Sequence, residues 1–415
     1  MRNIELLSPC GDFERLKLAL KFGADAVYLA GEMFGMRTNP SNFSADELKK
    51  AVELAHSLGK KVYLTCNTLP RNDEIEKLPE FLKYAQDIGI DAFIIADIGV
   101  MALAKKYAPN VDIHMSTQVG IVNYQTANTL YEMGARRIVT ARELSLDEIK
   151  TIRDKTPNDL EIVPKDMEIE AFVHGAMCMS FSGRCILSDY MTHRDANRGD
   201  CAQPCRWKYH LVEETRPGQY FPINEEKNGT YIFNSRDLCM IEHIPELVDA
   251  GVDSFKIEGR AKSEYYTAIV TYAYRNAIDE YLKNPTDDFK PSQWILDEME
   301  KMSHREYTTG FNFGPIENGQ VTDTGGYIRN WDVCALFKDY SNGRLIVSQR
   351  NRFFEGDELE VVEPGKKPYK LVVEDLYNLD DDEKVDVANK ATDTYSFKCD
   401  KPVSSDAIFR RQRTE

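Results

Sequence analysis

Cysteine is the residue type whose spacing in this chain points most directly to chemistry. The chain has nine cysteines, and four of them, Cys178, Cys185, Cys201 and Cys205, fall in one short region. Cys239 follows further along. Clustered cysteines in a chain without a secretion signal are more typical of metal ligands or catalytic groups than of disulfides. The region therefore predicts a thiol-based cofactor or catalytic centre.

The spacing of these thiols favours an iron–sulfur cluster over structural zinc. Zinc ribbons and fingers use two tight pairs of cysteines, whereas six residues separate Cys178 from Cys185. The ligands of a cluster stand farther apart than those of a single zinc ion, which suits the looser spacing. We expect Cys178, Cys185 and Cys201 as three ligands, with either Cys205 or Cys239 as the fourth. Structural zinc and free redox thiols remain the alternatives.

Basic side chains surround these cysteines. Between residues 184 and 208, five basic residues accompany three acidic ones. Such a segment suits a small anionic substrate or a phosphate backbone, but an arginine-rich loop held by its own carboxylates fits the charge equally well. The basic residues are Arg184, Arg194, Arg198, Arg206 and Lys208, and we expect Arg136 and Arg137 to join them where the loops converge.

Further polar residues stand at the ends of predicted strands. Active sites of parallel α/β folds lie at the carboxyl ends of the strands. As a set, these residues predict a polar, charge-balanced pocket, although each alone fits a capping role equally well. They are Asn67, Asp97, Ser116, Gln118, Arg142, Glu143, His174, Asn234, Asp237, Lys256, Glu258 and Arg260.

The elements that must position these groups repeat one unit over residues 1–260: a short apolar strand, a turn and a helix. This alternation predicts parallel strands with right-handed crossovers, and a doubly wound sheet is disfavoured because no G-x-G-x-x-G follows the first strand. We therefore predict an α/β fold with a TIM-barrel-like (β/α)8 domain. Nine strand candidates imply one excursion outside the eight-stranded barrel: residues 4–8, 25–30, 61–67, 92–97, 113–118, 137–143, 169–175, 231–235 and 254–259.

The pattern changes in the last third of the chain. Residues 264–307 have helical spacing, and a Gly/Asn-rich segment follows at 308–326. Beyond it apolar residues alternate with polar ones, as in strands. Asn342-Gly343 between two such runs is a strong hairpin signal.

These patterns divide the chain into two predicted domains. Residues 1–310 form the TIM-barrel-like catalytic domain, with a Cys-rich insertion at 176–230. Residues 327–415 form a small all-β barrel. Cys334 and Cys399 fall within its strand patterns, so we expect them to pack in its core.

Composition sets outer limits on function. The 415 residues include 52 Lys and Arg against 68 Asp and Glu, a net charge of −16, and 42% are hydrophobic. This is a folded composition, and it excludes bulk attraction to a polyanion, so nucleic acid would need a local basic surface. No apolar run reaches the ~18 residues that span a bilayer. The first residues lack a signal-peptide core, and we expect a cytoplasmic protein.

The segments EAFVHGAMCMSFSGRC, GDCAQPCRW and SFKIEGRAKS resemble peptidase family U32. The likeness covers nearly the whole chain, and within the family it is similar to bacterial proteins that hydroxylate the wobble uridine of tRNA. The resemblance implies a 4Fe-4S cluster and formation of 5-hydroxyuridine, with prephenate as the source of the hydroxyl group. Cys178 and Cys185 match the family signature and Cys201 its third ligand. Members differ between the positions of Cys205 and Cys239 for the fourth.

Under this hypothesis the pocket residues acquire roles. Arg142, Lys256 and Arg260 would pair with a dicarboxylate such as prephenate, because guanidinium binds carboxylate in a bidentate manner. His174 and Glu258 would move protons near neutral pH. The β-module and the arginine-rich loop would grip tRNA, and a protein partner of the same family is a further expectation.

Two other functions are compatible with the sequence. A peptidase fits the family label, but the chain has neither H-E-x-x-H nor G-x-S-x-G. A non-catalytic scaffold that carries a cluster is the third hypothesis. Other family members modify a ribosomal RNA cytidine or act in quinone synthesis, so the resemblance alone does not fix the substrate.

Overall fold

A computed structural model describes most of the chain. The described residues are 4–35, 42–155, 167–178, 180–181, 184–196, 199–207, 225–226, 229–230, 235–316 and 327–413. Three residues singled out in the sequence, Arg198, Lys208 and Asn234, lie outside these ranges.

Eight parallel strands close a barrel, which confirms the predicted TIM-like architecture. Each strand pairs with the next, and the eighth pairs with both the seventh and the first. We number the barrel strands in chain order: Glu5–Pro9, Ala26–Leu29, Lys61–Cys66, Ala92–Ile95, Asp112–Met115, Arg137–Val139, Glu168–Ala176 and Ser254–Ile257.

The ninth strand candidate, 231–235, lies almost wholly outside the described residues. Of its residues, only Ser235 is described. The next strand, Asp237–Cys239, runs antiparallel to the carboxyl end of the seventh barrel strand and parallel to the short strand Tyr307–Thr308. The short antiparallel pair Glu225–Glu226 and Gly229–Thr230 lies in the predicted insertion.

Helices alternate with the barrel strands, and their starts follow local sequence signals. Ser44 and Ser145 each accept a hydrogen bond from the backbone of an acid three residues on, whose carboxylate accepts one from the serine backbone in return, so both helices begin with a capping box. The α-helices are Phe13–Lys21, Ala45–Ser57, Asn72–Ile75, Leu78–Asp87, Ile98–Tyr107, Tyr124–Glu132, Leu146–Asp154, Leu187–Thr192, Ile244–Asp249, Glu264–Lys283 and Gln293–Glu300. Short 3-10 turns occur at Thr117–Val119, Pro204–Arg206 and Ile241–His243.

The helical pattern predicted over 264–307 ends earlier than expected. The last helix stops at Glu300, and Tyr307 is part of a strand that pairs with Asp237. Sheet pairing with a distant strand therefore overrides the local helical spacing. None of the helices in the described part of the chain combines the length and apolar character required to cross a membrane.

The amino end of the barrel interior holds a buried ion network. Arg137 contacts Glu5 at 2.6 Å, Glu168 at 2.6 Å and Glu170 at 2.9 Å. Tyr63 also donates a hydrogen bond to Glu5, at 2.6 Å. The arrangement is possible inside a protein only because each carboxylate has a charged or hydrogen-bonding partner.

This network corrects one expectation from the sequence. Arg136 and Arg137 do not join the cysteine region, because they precede or begin the sixth barrel strand and so lie at the opposite end of the barrel from its carboxyl rim. Arg136 pairs instead with Glu168 at 3.1 Å.

The C-terminal region is an antiparallel all-β module, as predicted. Asn342 and Gly343 both have positive φ, 51° and 74°, and join the first two strands as a hairpin. Cys334 and Cys399 are buried in its core. The strands are Trp331–Ser341, Arg344–Gln349, Phe353–Phe354, Glu358–Val362, Tyr369–Val372, Tyr377–Asn378, Glu383–Lys384, Val387–Ala388, Thr394–Lys398 and Ile408–Gln412. The boundaries at residues 310 and 327 stay a prediction.

A buried ion pair fixes the module to the barrel helices. Arg410, fully buried, donates to Glu298 at 2.6 Å and to Glu360 at 2.7 Å. It also donates to the hydroxyl of Tyr265, at 2.8 Å, on helix Glu264–Lys283. Because that helix begins just after the eighth barrel strand, the module braces the carboxyl rim of the barrel.

Candidate active site

Arg142 and Glu258 form the centre of the polar group at the carboxyl rim. Arg142 Nη2 lies 3.2 Å from Glu258 Oε2, and Nη1 donates to the carbonyl of Ala176 at 3.1 Å. The guanidinium lies 3.9 Å from the Phe172 ring centroid. The two side chains are only 10% and 13% exposed, and Arg142 Nε has no hydrogen-bond partner among the described residues. Arg142 is therefore held in place with an N–H still available.

A second guanidinium, that of Arg260, lies at the same rim. It is buried, and Nη1 donates to Thr65 Oγ1 at 3.3 Å at the end of the third barrel strand. Gly11 allows this position, because a Cβ there would overlap the Arg260 carbonyl oxygen. The structure thus pairs Arg142 with Glu258 and places Arg260, two residues beyond Glu258, at the same rim. These are three of the five residues predicted to be catalytic.

Glu258 depends on two supports. Its carbonyl accepts a hydrogen bond from the Tyr266 hydroxyl at 2.9 Å. Gly175, with φ of +111°, lies directly against it, and a Cβ at Gly175 would overlap the Glu258 carbonyl oxygen. Only glycine fits there, because it adopts a positive φ without strain and has no Cβ to clash with the carbonyl oxygen.

Lys256 lies deeper in the barrel than the sequence suggested. It is buried, and its Nζ lies 2.6 Å from Glu170 Oε1 and 4.7 Å from the Tyr28 ring centroid. It belongs to the interior ion network, and its charge is already balanced. Its Nζ also lies 5.3 Å from the centroid of the Phe172 ring on which Arg142 stacks, but its ion-pair partner is the interior carboxylate of Glu170.

His174 faces away from the rim pocket. Its ring packs within 6 Å of three tyrosine rings, those of Tyr266, Tyr274 and Tyr307. Burial lowers the pKa of His174 to about 3, so the imidazole is neutral throughout the neutral range. The expected proton transfer near pH 7 does not match this environment.

A bulge explains the orientation of His174. The register against the eighth barrel strand shifts between Lys256, opposite Phe172, and Ile257, opposite His174. Without this shift, strand alternation would put His174 on the same inward face as Phe172. The bulge turns the imidazole toward helix Glu264–Lys283 instead.

Several other predicted pocket residues have structural roles. Asp97 and Ser116 cap Ile98–Tyr107 and Thr117–Val119. Asp237 lies 2.6 Å from Arg305, and that guanidinium, together with Lys262, holds the pKa of Asp237 below its usual value against the effect of burial. Asn67, Gln118 and Glu143 lie on rim segments beyond the third, fifth and sixth barrel strands.

The thiols fall into two groups. Cys10 and Cys66 are buried, and burial raises the pKa of both. Cys178 and Cys201 are exposed, while Cys185 and Cys205 are half-buried. The second group lies in the segment that follows the seventh barrel strand. Because these four cysteines are exposed or half-buried, packing in a hydrophobic core does not explain their presence.

Backbone contacts hold the loop of the second group together. The amide of Ala202 donates to Ser188 Oγ at 2.9 Å, and Gln203 N–H donates to Cys201 Sγ at 3.3 Å. Arg194 pairs with Asp200 at 2.7 Å. Cys201 is thereby tied to the helix that follows Cys185, and Cys205 lies in the 3-10 turn Pro204–Arg206, which contacts the same helix.

Cys239 has a different environment. It pairs with His174 across the antiparallel strands, and its Sγ lies 4.0 Å from the Tyr274 hydroxyl. Burial raises the pKa of this thiol to about 12.

These residues fit a metal cofactor by their chemistry. Soft thiolates are the ligands that iron–sulfur clusters and zinc select, and four cysteines of the second group are not needed for the core. Within the described ranges, no three Cys, His, Asp or Glu side chains are yet close enough together to hold a metal ion. Their convergence on a cofactor therefore stays a prediction.

Comparison with known proteins decides the family. Residues 11–321 match the model of peptidase family U32, and residues 329–410 match the model of its C-terminal domain. This chain belongs to peptidase family U32. The resemblance seen in the sequence motifs is confirmed, and the U32 assignment covers both the barrel and the all-β module.

Relatives within U32 carry different names. The chain is 36% identical over 410 residues to tRNA hydroxylation protein P1 of Bacillus subtilis (strain 168), covering 98% of this chain and 94% of the relative. It is 35% identical to tRNA hydroxylation protein P of Escherichia coli (strain K12), covering 87% and 86% of the two chains. It is also 35% identical to a protein named Collagenase from Porphyromonas gingivalis, covering 76% and 74%.

Sequence reasoning missed the residues that support the U32 rim. Phe172 stacks under Arg142, Thr65 accepts from Arg260, and Gly175 makes room for Glu258. The sequence held only a weak signal for Phe172. Alternation along the strand predicts that Phe172 and His174 share a face, and Gly175 is the one local residue that hints at the bulge separating them.

Proposed function

We propose that this U32 protein hydroxylates the wobble uridine of tRNA to 5-hydroxyuridine, with a 4Fe-4S cluster as cofactor and prephenate as the source of the hydroxyl group. The observation that carries the proposal is the 36% identity, over 98% of this chain, to a protein named for tRNA hydroxylation. The same relative is matched along 94% of its own length, so both domains correspond.

The cysteines of the rim loop would hold the cluster. Cys178, Cys185 and Cys201 would each bind one iron, and Cys205 or Cys239 the fourth. When bound, the cluster would supply redox or Lewis-acid chemistry at the carboxyl rim. Cys205 shares the loop of Cys201, whereas Cys239 would have to leave its contact with Tyr274.

The rim guanidinium groups would bind the dicarboxylate. Arg142 and Arg260 are both largely shielded from water, where a charge-assisted hydrogen bond to carboxylate is strongest. Arg142 Nε is buried without a partner among the described residues, so a bound carboxylate would satisfy it. Lys256 would act indirectly, by fixing the barrel interior beneath Phe172.

Glu258 is the group best placed to accept a proton. Its carboxylate lies beside Arg142 at the mouth and is 13% exposed, so a substrate bound to Arg142 would meet it. Arg142 would also stabilise the ionised form before the proton arrives. His174, behind the sheet and neutral, would not take part.

The loop beside the thiols would contact the RNA. Tyr190 is 84% exposed and Ile186, one helical turn away, is 71% exposed. Phe181 and Trp207 are also exposed. Aromatic side chains next to a catalytic site can stack on unpaired bases, and wobble uridine lies in an unpaired loop.

The test is mass spectrometry of tRNA nucleosides from a strain that lacks the gene. We expect 5-hydroxyuridine and its derivatives to be lost and to return with the wild-type gene. Genes encoding Cys178→Ser or Arg142→Gln should fail to restore them, while Lys106→Gln, an exposed position in the last turn of helix Ile98–Tyr107, should succeed. Unchanged 5-hydroxyuridine in the deletion strain would contradict the proposal.

A peptidase is the second candidate, favoured by the relative named Collagenase. Purified protein should then hydrolyse collagen or casein, and the hydrolysis should persist in Cys178→Ser. The position of His174 among tyrosines, rather than beside a thiol in the rim loop, weakens the cysteine-nucleophile form of this candidate.

A further inference from the structure

Three basic side chains gather around one tyrosine ring at the junction of the barrel and the β-module. Lys262 Nζ lies 4.5 Å from the centroid of the Tyr327 ring, and 3.4 Å from its hydroxyl. The guanidinium carbons of Arg329 and Arg305 lie 5.5 Å and 5.7 Å from the same centroid. We call these four residues the Tyr327 group. Such a local concentration of positive charge is unexpected in a chain of net charge −16 and suggests a binding role.

The Tyr327 group adjoins the candidate active site. Lys262 lies two residues beyond the rim residue Arg260, and two hydrogen bonds fix its backbone. Its N–H donates to the Gly259 carbonyl at 2.8 Å, and its carbonyl accepts from Arg15 Nε at 2.7 Å. Lys262 Nζ also lies 5.3 Å from the ring of Tyr266, whose hydroxyl supports Glu258. A ligand bound to Lys262 would therefore lie at the barrel mouth.

The charges in the group are not all balanced. Asp237 neutralises Arg305, and both are buried. Lys262, half-buried, and Arg329, exposed, form no ion pair with any carboxylate of the described residues; Arg329 Nε donates instead to Ser303 Oγ at 3.1 Å.

The nearby acids are already engaged. Glu306 pairs with Arg236 at 2.8 Å, and Glu300 lies 3.4 Å from His304. Asp237 acts electrostatically on Lys262 but is already paired with Arg305, so neither Lys262 nor Arg329 has an ion-pair partner of its own among the described carboxylates. An external anion would relieve the mutual repulsion of these two cations.

We propose that Lys262 and Arg329 bind a backbone phosphate of the RNA whose base enters the barrel mouth. An ammonium and a guanidinium that both lie within 6 Å of one ring centroid can contact different oxygens of a single phosphate. Phosphate contacts fix the register of a nucleic acid without reading its sequence, so this site would position the target nucleotide. The inference rests on the proposed function for the identity of the RNA.

The test measures binding of unmodified tRNA as a function of salt concentration. Each phosphate contact contributes about 0.7–0.9 to the slope of log K against log salt. We expect K262Q and R329Q each to lower the slope by roughly that amount and to weaken binding at low salt, with K262R close to wild type. K106Q, which removes an exposed lysine from the last turn of helix Ile98–Tyr107, away from the carboxyl rim, should leave both quantities unchanged. Thermal unfolding of each variant checks that the fold persists.

The outcomes separate this inference from the proposed function. Wild-type slopes in both K262Q and R329Q would overturn the phosphate site, whatever the nucleoside analysis gives. Reduced slopes, together with 5-hydroxyuridine that survives gene deletion, would support the RNA contact and contradict the hydroxylation. No measurable tRNA binding by the wild-type protein would overturn the inference.

Discussion

Gly175→Ala should displace Glu258 from its position beside Arg142 and so disrupt the candidate active site. Gly175 has φ of +111°, and its Cα faces the carbonyl of Glu258 so closely that a Cβ would overlap the oxygen. The substitution therefore introduces backbone strain, and it pushes the Glu258 backbone away from the position that pairs its carboxylate with Arg142. Both effects can be separated, because Gly314 has φ of +112° and no atom of the described residues lies within 4 Å of an added Cβ.

The magnitudes follow from that difference. A left-handed backbone costs an alanine roughly 1–2 kcal/mol at either position. Overpacking against a fixed backbone adds about 1–3 kcal/mol at Gly175 alone. We therefore expect Gly314→Ala to lower the free energy of unfolding by about 1–2 kcal/mol and Gly175→Ala by about 2–5 kcal/mol.

Urea denaturation of the two variants measures these losses, and restoration of tRNA 5-hydroxyuridine in the deletion strain measures function. Gly314→Ala should restore the nucleoside. Gly175→Ala should not, even at a temperature where it is folded, because Glu258 and Arg142 are displaced. Equal destabilisation by the two substitutions, or full activity of Gly175→Ala, would refute the close contact as the basis of the site.

Three further predictions concern buried charge. Arg137→Met should lower the free energy of unfolding by about 3–5 kcal/mol, because it leaves Glu5 without its cation and removes one of the two cations that contact each of Glu168 and Glu170. Arg136→Met, which breaks a more exposed pair, should cost about 1 kcal/mol or less in urea denaturation. The pKa of Asp237 is lower in the folded protein than its unfolded value of 3.8, so this carboxylate adds stability above pH 3.8 that is lost as pH falls through the folded pKa. Asp237→Asn should therefore weaken the dependence of the melting temperature on pH in the acid range. At pH 7 the same variant should be less stable than the wild type, because Arg305 loses its ion-pair partner. The pKa of His174 is about 3 in the folded protein against 6.5 in the unfolded chain, so the free energy of unfolding should fall by up to about 1.4 kcal/mol for each pH unit below 6.5. His174→Gln should remove this dependence on pH. An unchanged dependence of the free energy of unfolding on pH would contradict the buried neutral ring.

Much of the fold follows from local sequence. The barrel strands are near-continuous apolar runs because both faces are buried, and Ser44 and Ser145 mark helix starts through bonds within one turn. Asn342-Gly343 sets its hairpin through its own backbone preference. Each of these features depends on interactions within a few residues, which is why a single sequence reveals them.

The site was less predictable, because its geometry depends on distant partners. Arg142 and Glu258 do meet, and Arg260 lies at the same rim, since strand ends of a parallel barrel share one rim. Lys256 and His174 lie on the strands that build that rim, but a register bulge and an interior carboxylate direct them elsewhere. Neither the bulge nor the partner can be read from alternation within one strand.

The cysteines illustrate the same limit. Their residue type and grouping are visible in the sequence, and the structure separates the exposed or half-buried Cys178, Cys185, Cys201 and Cys205 from the buried thiols of the core. The choice between Cys205 and Cys239 depends on how the loop closes around a cofactor, which is a property of the bound state.

The most direct test of this account is the iron and inorganic sulfide content of the protein purified without oxygen. We predict a brown protein with broad visible absorption and about four irons per chain. Cys178→Ser, Cys185→Ser and Cys201→Ser should each lose most of that iron, and the one of Cys205→Ser and Cys239→Ser that also loses it identifies the fourth ligand. A colourless protein that holds one zinc ion, or iron that is retained in all of these variants, would contradict the proposal that these thiols form the reactive centre.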